Sequence, residues 1–232
     1  MPEVHPPAES FIPPRATLAA LQRAAQRCTA CDLYKWATQA VLGAGPRPAR
    51  AMLVGEQPGD QEDLQGKPFV GPAGRVLDEV LVEAGIPRDA VFVTNAVKHF
   101  KFVVRSRVAR PPDGRLSARA QGSEPRGKRR LHQKPTLGEV RACRPWLEAE
   151  IELVHPEGIV CLGATAAQGF LGSAFRITRE RGRFFDTPYA RWVTATLHPS
   201  AILRMPDPAA RREARAQLVA DLEQVAARLR AA

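Results

Sequence analysis

The segment Gly55-Glu56-Gln57-Pro58-Gly59-Asp60-Gln61-Glu62-Asp63 concentrates acids and glycines directly after an apolar run. A carboxylate in that position, such as Glu56, can stabilise a developing cation or deprotonate an attacking group, and it can equally be a surface acid. The stretch Gly66-Lys67-Pro68-Phe69-Val70-Gly71-Pro72-Ala73-Gly74 follows, and neither segment has the Gly-Lys-Ser/Thr ending of a phosphate-binding P-loop. Near the other end, His198-Pro199-Ser200-Ala201-Ile202-Leu203-Arg204 sets a histidine six residues before an arginine. An imidazole there can stabilise a leaving anion, or it can be a satisfied side chain in a His-Pro turn. Asn95 closes another apolar run, and its amide, which both donates and accepts, can read the edge of a heterocycle or simply end a strand in a turn.

Four cysteines form a second constellation. Cys28 and Cys31 make a Cys-x-x-Cys pair, while Cys143 and Cys161 lie far downstream, eighteen positions apart. Thiolates suit zinc and iron-sulfur clusters alike, because both take soft, tetrahedrally disposed ligands. Spacing does not choose between them, and Cys143 on a helix with Cys161 in a strand also suits plain burial. The N-terminal run MPEVHPPAESFIPP lacks the basic-then-apolar order of a signal peptide, and no run of eighteen apolar residues occurs, which together predict a cytoplasmic protein. Disulfides are not expected in that reducing compartment.

The elements that would position these groups alternate along the chain. Ala51-Met52-Leu53-Val54 ends at Gly55, Val91-Phe92-Val93-Thr94 ends at Asn95, and runs from Gly158 to Leu162 and from Arg191 to Leu197 follow, the last ending at His198. Each reads as a buried strand. Helical spacing marks Thr17 to Arg27, Gly71 to Gly85, the stretch carrying Leu137, Val140, Leu147, Ile151 and Val154, and a last helix opened by Asp207-Pro208. The alternation predicts an α/β fold, a three-layer α/β/α sandwich around a mostly parallel four-stranded sheet. Ligands of such sheets sit beyond the carboxyl ends of the strands, where Glu56, Asn95, Gly163 and His198 all fall. Residues 15–232 read as one domain acting as a monomer, and residues 1–14, with five prolines, as a flexible lead-in.

Charge is concentrated rather than spread. Of a net +10, the span from Lys101 to Arg130 carries +8, with ten Lys/Arg against Asp113 and Glu124. Such a run is either a solvated linker or a contact for a polyanion. Within it, residues 103–127 have no apolar period and are rich in Arg, Gly, Ser and Pro, which reads as a mobile insertion.

Taken together, the Gly-Glu-x-Pro-Gly and His-Pro-Ser segments resemble those of the iron-sulfur members of the uracil-DNA glycosylase superfamily, over about Cys28 to Arg204. The match is nearest the X-type branch (UdgX), which bonds covalently to the DNA it acts on. Its marks here are the full Gly55–Asp63 segment, the Thr94-Asn95-Ala96-Val97-Lys98-His99-Phe100 stretch, and the basic loop Lys128-Arg129-Arg130-Leu131-His132-Gln133-Lys134-Pro135. The departure is the 103–127 insertion, which lengthens the approach to His132.

The resemblance implies a set of roles. Cys28, Cys31, Cys143 and Cys161 would hold a 4Fe-4S cluster of structural purpose. Phe69 would stack on uracil, Asn95 would pair with its N3 and O4 edge, and Gln57 and Asp60 would complete the pocket. His198 would stabilise the departing base at O2, and Glu56 the oxocarbenium-like sugar. His132 would attack C1′, whereas ordinary glycosylases use water. Lys128, Arg129, Arg130 and Arg204 would contact phosphate. The partner would be uracil-containing DNA, single-stranded by preference, since a base inside a duplex is out of reach.

Overall fold

The computed structural model describes residues 5–106 and 128–231, without the side chains of Ser106 and Lys128. In chain order the strands are β1 (Ala51–Gly55), β2 (Val91–Asn95), β3 (Phe102–Ser106), β4 (Lys128–His132), β5 (Gly158–Leu162), β6 (Phe184–Thr187) and β7 (Ala190–Thr196). The helices are α1 (Leu18–Ala25), α2 (Asp60–Gln65), α3 (Pro72–Glu83), α4 (Leu137–Val154), α5 (Ala164–Leu171), α6 (Ile177–Glu180), α7 (Pro199–Arg204) and α8 (Pro208–Ala231). None of the helices is long and apolar enough to cross a membrane among the described residues.

The main sheet has the order β2-β1-β5-β7-β6. Its first four strands are parallel, as the apolar runs predict, and every residue of β1, β2 and β5 is buried. The sheet has five strands rather than four, because β6 pairs antiparallel with β7 at the edge. Phe184-Phe185-Asp186-Thr187 is short and half-buried, so it lacks the uniform apolar character that marks the central strands. One face packs on α3 and α8 through Leu77, Leu81, Leu218 and Leu222, the other on α4 and α5 through Leu147, Ile151 and Ala166, giving the three layers.

Two further features depart from the sequence expectation. Ala8–Phe11 forms a 3-10 turn with Ala8 buried, and Phe11 and Ile12 pack on a third core cluster around Leu21 and Trp146, so this part of the lead-in is anchored. Residues 103–106 belong to β3, which pairs with β4 as an antiparallel ribbon separate from the main sheet. Residues 1–4 and 107–127 of the expected lead-in and insertion lie outside the described residues.

Behind the carboxyl end of β2 sits a buried ion pair. Lys98 Nζ lies 2.7 Å from Glu150 Oε2 on α4 and also donates to Thr94 Oγ1 and the Asn95 carbonyl; Glu150 in turn accepts from Gly43 N and Thr94 Oγ1. Buried charges are tolerated when every donor and acceptor is matched in this way, and removing one partner typically costs about 3–5 kcal/mol. The pair therefore fixes the backbone that presents Asn95.

Candidate active site

Four strand ends meet above the sheet. The decisive residue is Gly55, the last of β1: a Cβ built there would lie 2.3 Å from Asn95 Oδ1, 2.8 Å from Phe69 Cζ and 3.4 Å from His198 Nε2. Three side chains singled out in the sequence thus converge on one point, which stays open only because residue 55 has no side chain. The ring of Phe69 lies at 26° to that of His198, with centroids 6.2 Å apart. Phe69 adopts a left-handed backbone (φ 57), and its carbonyl fills the space where a Cβ on Gly74 would otherwise stand. This places a flat apolar ring at the mouth of β1, where its back packs into the core layer formed by α3 and α8.

His198 caps α7. Its Nδ1 accepts the Ser200 backbone N–H at 3.1 Å and lies 2.8 Å from Ser200 Oγ, so the ring proton belongs on Nε2, the nitrogen facing the pocket. Burial, with the neighbouring Arg204 and His132, pushes its pKa down to about 4. At neutral pH the site therefore offers an uncharged N–H donor. Arg204 is exposed and donates to Ser200 Oγ at 3.1 Å.

Glu56 sits between two elements. Thr165 Oγ1, in the first turn of α5, donates to Glu56 Oε2, and Glu56 Oε1 lies 3.4 Å from His132 Nε2 at the end of β4. Burial lowers the pKa of His132 against the opposing pull of Glu56, which favours a neutral imidazole with a free lone pair. The register Phe102↔His132 fixes where β4 ends, so the long connection before it does not displace His132.

The ribbon is fastened to the pocket loop by side chains expected to serve other purposes. Gln57 accepts from Lys101 N and donates to the Lys101 and Gln133 carbonyls, at 3.0–3.1 Å, so its amide is committed to the ribbon rather than to a ligand. Asp60 Oδ1 lies 2.6 Å from Arg130 Nε, and Asp63 Oδ2 lies 2.5 Å from Arg130 Nη1. Arg130 also stacks over Phe100 and Phe102 at 5.5 and 5.0 Å. Its guanidinium is consumed in a latch, not presented to phosphate. Arg129 is exposed, and the side chain of Lys128 lies outside the described residues.

The profile of the uracil DNA glycosylase superfamily matches residues 42–223. The chain belongs to the uracil-DNA glycosylase superfamily. It is 39% identical over 180 residues to the Type-4 uracil-DNA glycosylase of Thermotoga maritima, covering 77% of this chain and 79% of that one. It is 36% identical over 189 residues to the Type-4 uracil-DNA glycosylase of Archaeoglobus fulgidus, with 77% and 79% covered. The Pyrobaculum aerophilum Type-4 enzyme is 32% identical over 196 residues, with 82% and 86% covered.

Of the four cysteines in this superfamily member, three come together. Cys28, Cys31 and Cys143 share the third core cluster and influence one another electrostatically. Two N–H groups point at their sulfurs: Trp146 Nε1 at Cys28 Sγ and the Lys98 amide at Cys143 Sγ, both at 3.2 Å. Such donors suit sulfur that carries negative charge in a cluster. Cys161 does not join them. It lies mid-strand between Val54 and Ala195, packed into the layer beneath α4 and α5, and only burial acts on its thiol, raising its pKa. Among the described residues no three His, Cys, Asp or Glu side chains converge closely enough to hold a single metal ion.

Nothing in the sequence marks a role for Glu62, Asp63 or Thr165. Asp63 is fully buried, and Thr165 and Glu62 nearly so. A polar run such as Gln61-Glu62-Asp63 reads as solvated in the sequence. Only contact with Arg130, Thr38 and Asn95 gives them work.

Proposed function

We propose that this chain excises uracil from DNA and then captures the resulting abasic sugar through His132. The observation that carries the capture step is the Thr165–Glu56–His132 line, which sets an imidazole of lowered pKa against the carboxylate at the pocket rim. Uracil, swung out of its stack, would lie on Phe69 with its N3–H and O4 on the Asn95 amide. As the N1–C1′ bond breaks, its electron pair leaves with the base, and the Nε2–H of His198 stabilises the charge at O2. Glu56 faces the positive charge left on the sugar. One imidazole nitrogen of His132 then bonds C1′, and the proton shed by the ring passes to Glu56 or solvent. A nitrogen–carbon bond of this kind has no easy leaving path, so each molecule acts once.

Uracil-containing DNA, single-stranded by preference, is the partner, bound by the monomer in the cytoplasm with Arg129 and Arg204 on phosphate. The cysteine centre supports an iron-sulfur reading: Cys28, Cys31 and Cys143 would hold a 4Fe-4S cluster, with the buried His99 on the segment next to Cys143 as a fourth ligand in place of Cys161. When bound, that cluster ties α1, α4 and the β2 exit together.

A second reading fits relatives named Type-4 uracil-DNA glycosylases equally well: multiple turnover with water as the attacker and His132 only holding Glu56. Denaturing gel electrophoresis after incubation with uracil-containing single-stranded DNA separates the two. A DNA-linked protein band that disappears in His132→Ser is expected. Free uracil in excess of enzyme, with no such band, selects the second reading.

A further inference from the structure

The side chain of Glu62 has no part in the reaction as described, yet it is 7% exposed and lies directly behind the pocket. It is the third residue of α2, whose N-cap is Gly59. A glutamate at that position commonly reaches back to the N-cap amide, and here the Gly59 backbone N–H faces the Glu62 carboxylate. An ordinary cap of this kind is solvent-exposed. This one turns inward, where the carboxylate also meets the Phe69 backbone N–H and accepts from Asn95 Nδ2 at 3.4 Å.

These contacts decide which way the Asn95 amide faces. A carboxylate accepts and does not donate, so it must take the NH2 of Asn95, which leaves Oδ1 directed at the pocket beside Gly55. In that orientation the amide accepts from N3–H of uracil, and its second N–H is free for O4. Turned over, the same amide would donate to N3 and accept from an exocyclic amine, the pattern of cytosine. We infer that Glu62 is a specificity-determining positioning residue, holding the Asn95 amide in the orientation that reads uracil and, through the Phe69 amide, fixing the stacking ring to the same carboxylate. The inference rests on the uracil-excision reading.

Glu62→Gln tests it with little change of shape. Both backbone groups near residue 62 are donors, so the glutamine oxygen stays with them and its NH2 faces Asn95, turning that amide over. Binding is measured with single-stranded DNA carrying a non-hydrolysable 2′-fluoroarabino analogue of deoxyuridine or of deoxycytidine. The expected result is a loss of uracil-over-cytosine preference of roughly tenfold or more, because buried donors then face donors. A role confined to capping α2 predicts a lower melting temperature with the preference unchanged, and that result overturns the inference.

A second measurement applies even where Glu62→Gln folds poorly. Asn95→Asp places a carboxylate against Glu62, whereas Asn95→Asp with Glu62→Gln restores a donor–acceptor pair, so the double variant should melt above Asn95→Asp alone. Independent, additive effects would overturn the assignment. Failure of the wild-type protein to release uracil would instead remove the parent reading while leaving the coupling measurement valid.

Discussion

The Ser200 amide donates to Nδ1 of His198 at 3.1 Å, and this one hydrogen bond settles which imidazole nitrogen carries the proton in the pocket. The tautomer is thus built by the backbone of α7 and does not depend on the substrate. His198→Ala should lower the single-turnover rate of uracil release by about 10²–10³-fold, the usual cost of one preorganised donor to a developing anion. Single-turnover uracil release measures it.

The same residue predicts a pH dependence. His198 titrates near 4 in the folded protein and near the ordinary 6.5 when unfolded. Between those values the unfolded chain binds the extra proton, so the contribution of His198 to stability is fully present above pH 6.5 and is lost as pH falls toward 4. In His198→Ala the melting temperature should fall less steeply over that interval than in the wild type, as read by thermal denaturation across the range.

Thr165 holds one oxygen of Glu56 while His132 faces the other. Thr165→Val keeps the shape and removes the donor, and should slow capture by about 10- to 100-fold, in keeping with the loss of a charge-assisted hydrogen bond of about 1.5–3 kcal/mol. Thr165→Ser should behave as wild type. Glu56→Gln should be more severe, about 10²–10⁴-fold, as expected for loss of a catalytic carboxylate. Rates of adduct formation on gels check all three.

Arg130 and Arg129 are neighbours in sequence with opposite expected phenotypes. Arg130→Ala frees Asp60 and Asp63 and loosens the ribbon, so DNA linkage should fall while uracil release persists. Arg129→Ala should leave the chemistry intact and reduce the salt slope of DNA binding by about one. Titrations at several salt concentrations, paired with the gel, distinguish them.

Cys161→Ala should retain visible iron-sulfur absorbance at a stability cost of about 1 kcal/mol, whereas Cys28→Ser or Cys143→Ser should lose it. Absorbance of freshly purified protein and chemical denaturation supply the two readings.

The strand ends were legible in the sequence because buried parallel strands leave unbroken apolar runs, and Gly55, Asn95 and His198 mark where those runs stop. The fold brings the side chains of Asn95 and His198 together beside Gly55. The fifth strand was not legible, since Phe184-Phe185-Asp186-Thr187 is a short edge partner without alternation. Arg130, Gln57 and Asp60 suggest solvent or substrate in the sequence because they are charged or polar; the partners that bind them, such as Lys101 and Gln133 for Gln57 and Arg130 for Asp60, lie 44 or more positions away and become visible only on folding. Cys161 was grouped with the other cysteines by count and order. Its position facing a core layer follows from sheet register, which one sequence does not state.

The ribbon of β3 and β4 pairs with no strand of the five-stranded sheet and is tied down at its base by Gln57, along its side by Asp60 and Asp63, and at its end by the Glu56–His132 contact. The alignment of His132 with Glu56 is set at the Phe102↔His132 end of the ribbon, so related chains should diverge at its opposite end at least cost.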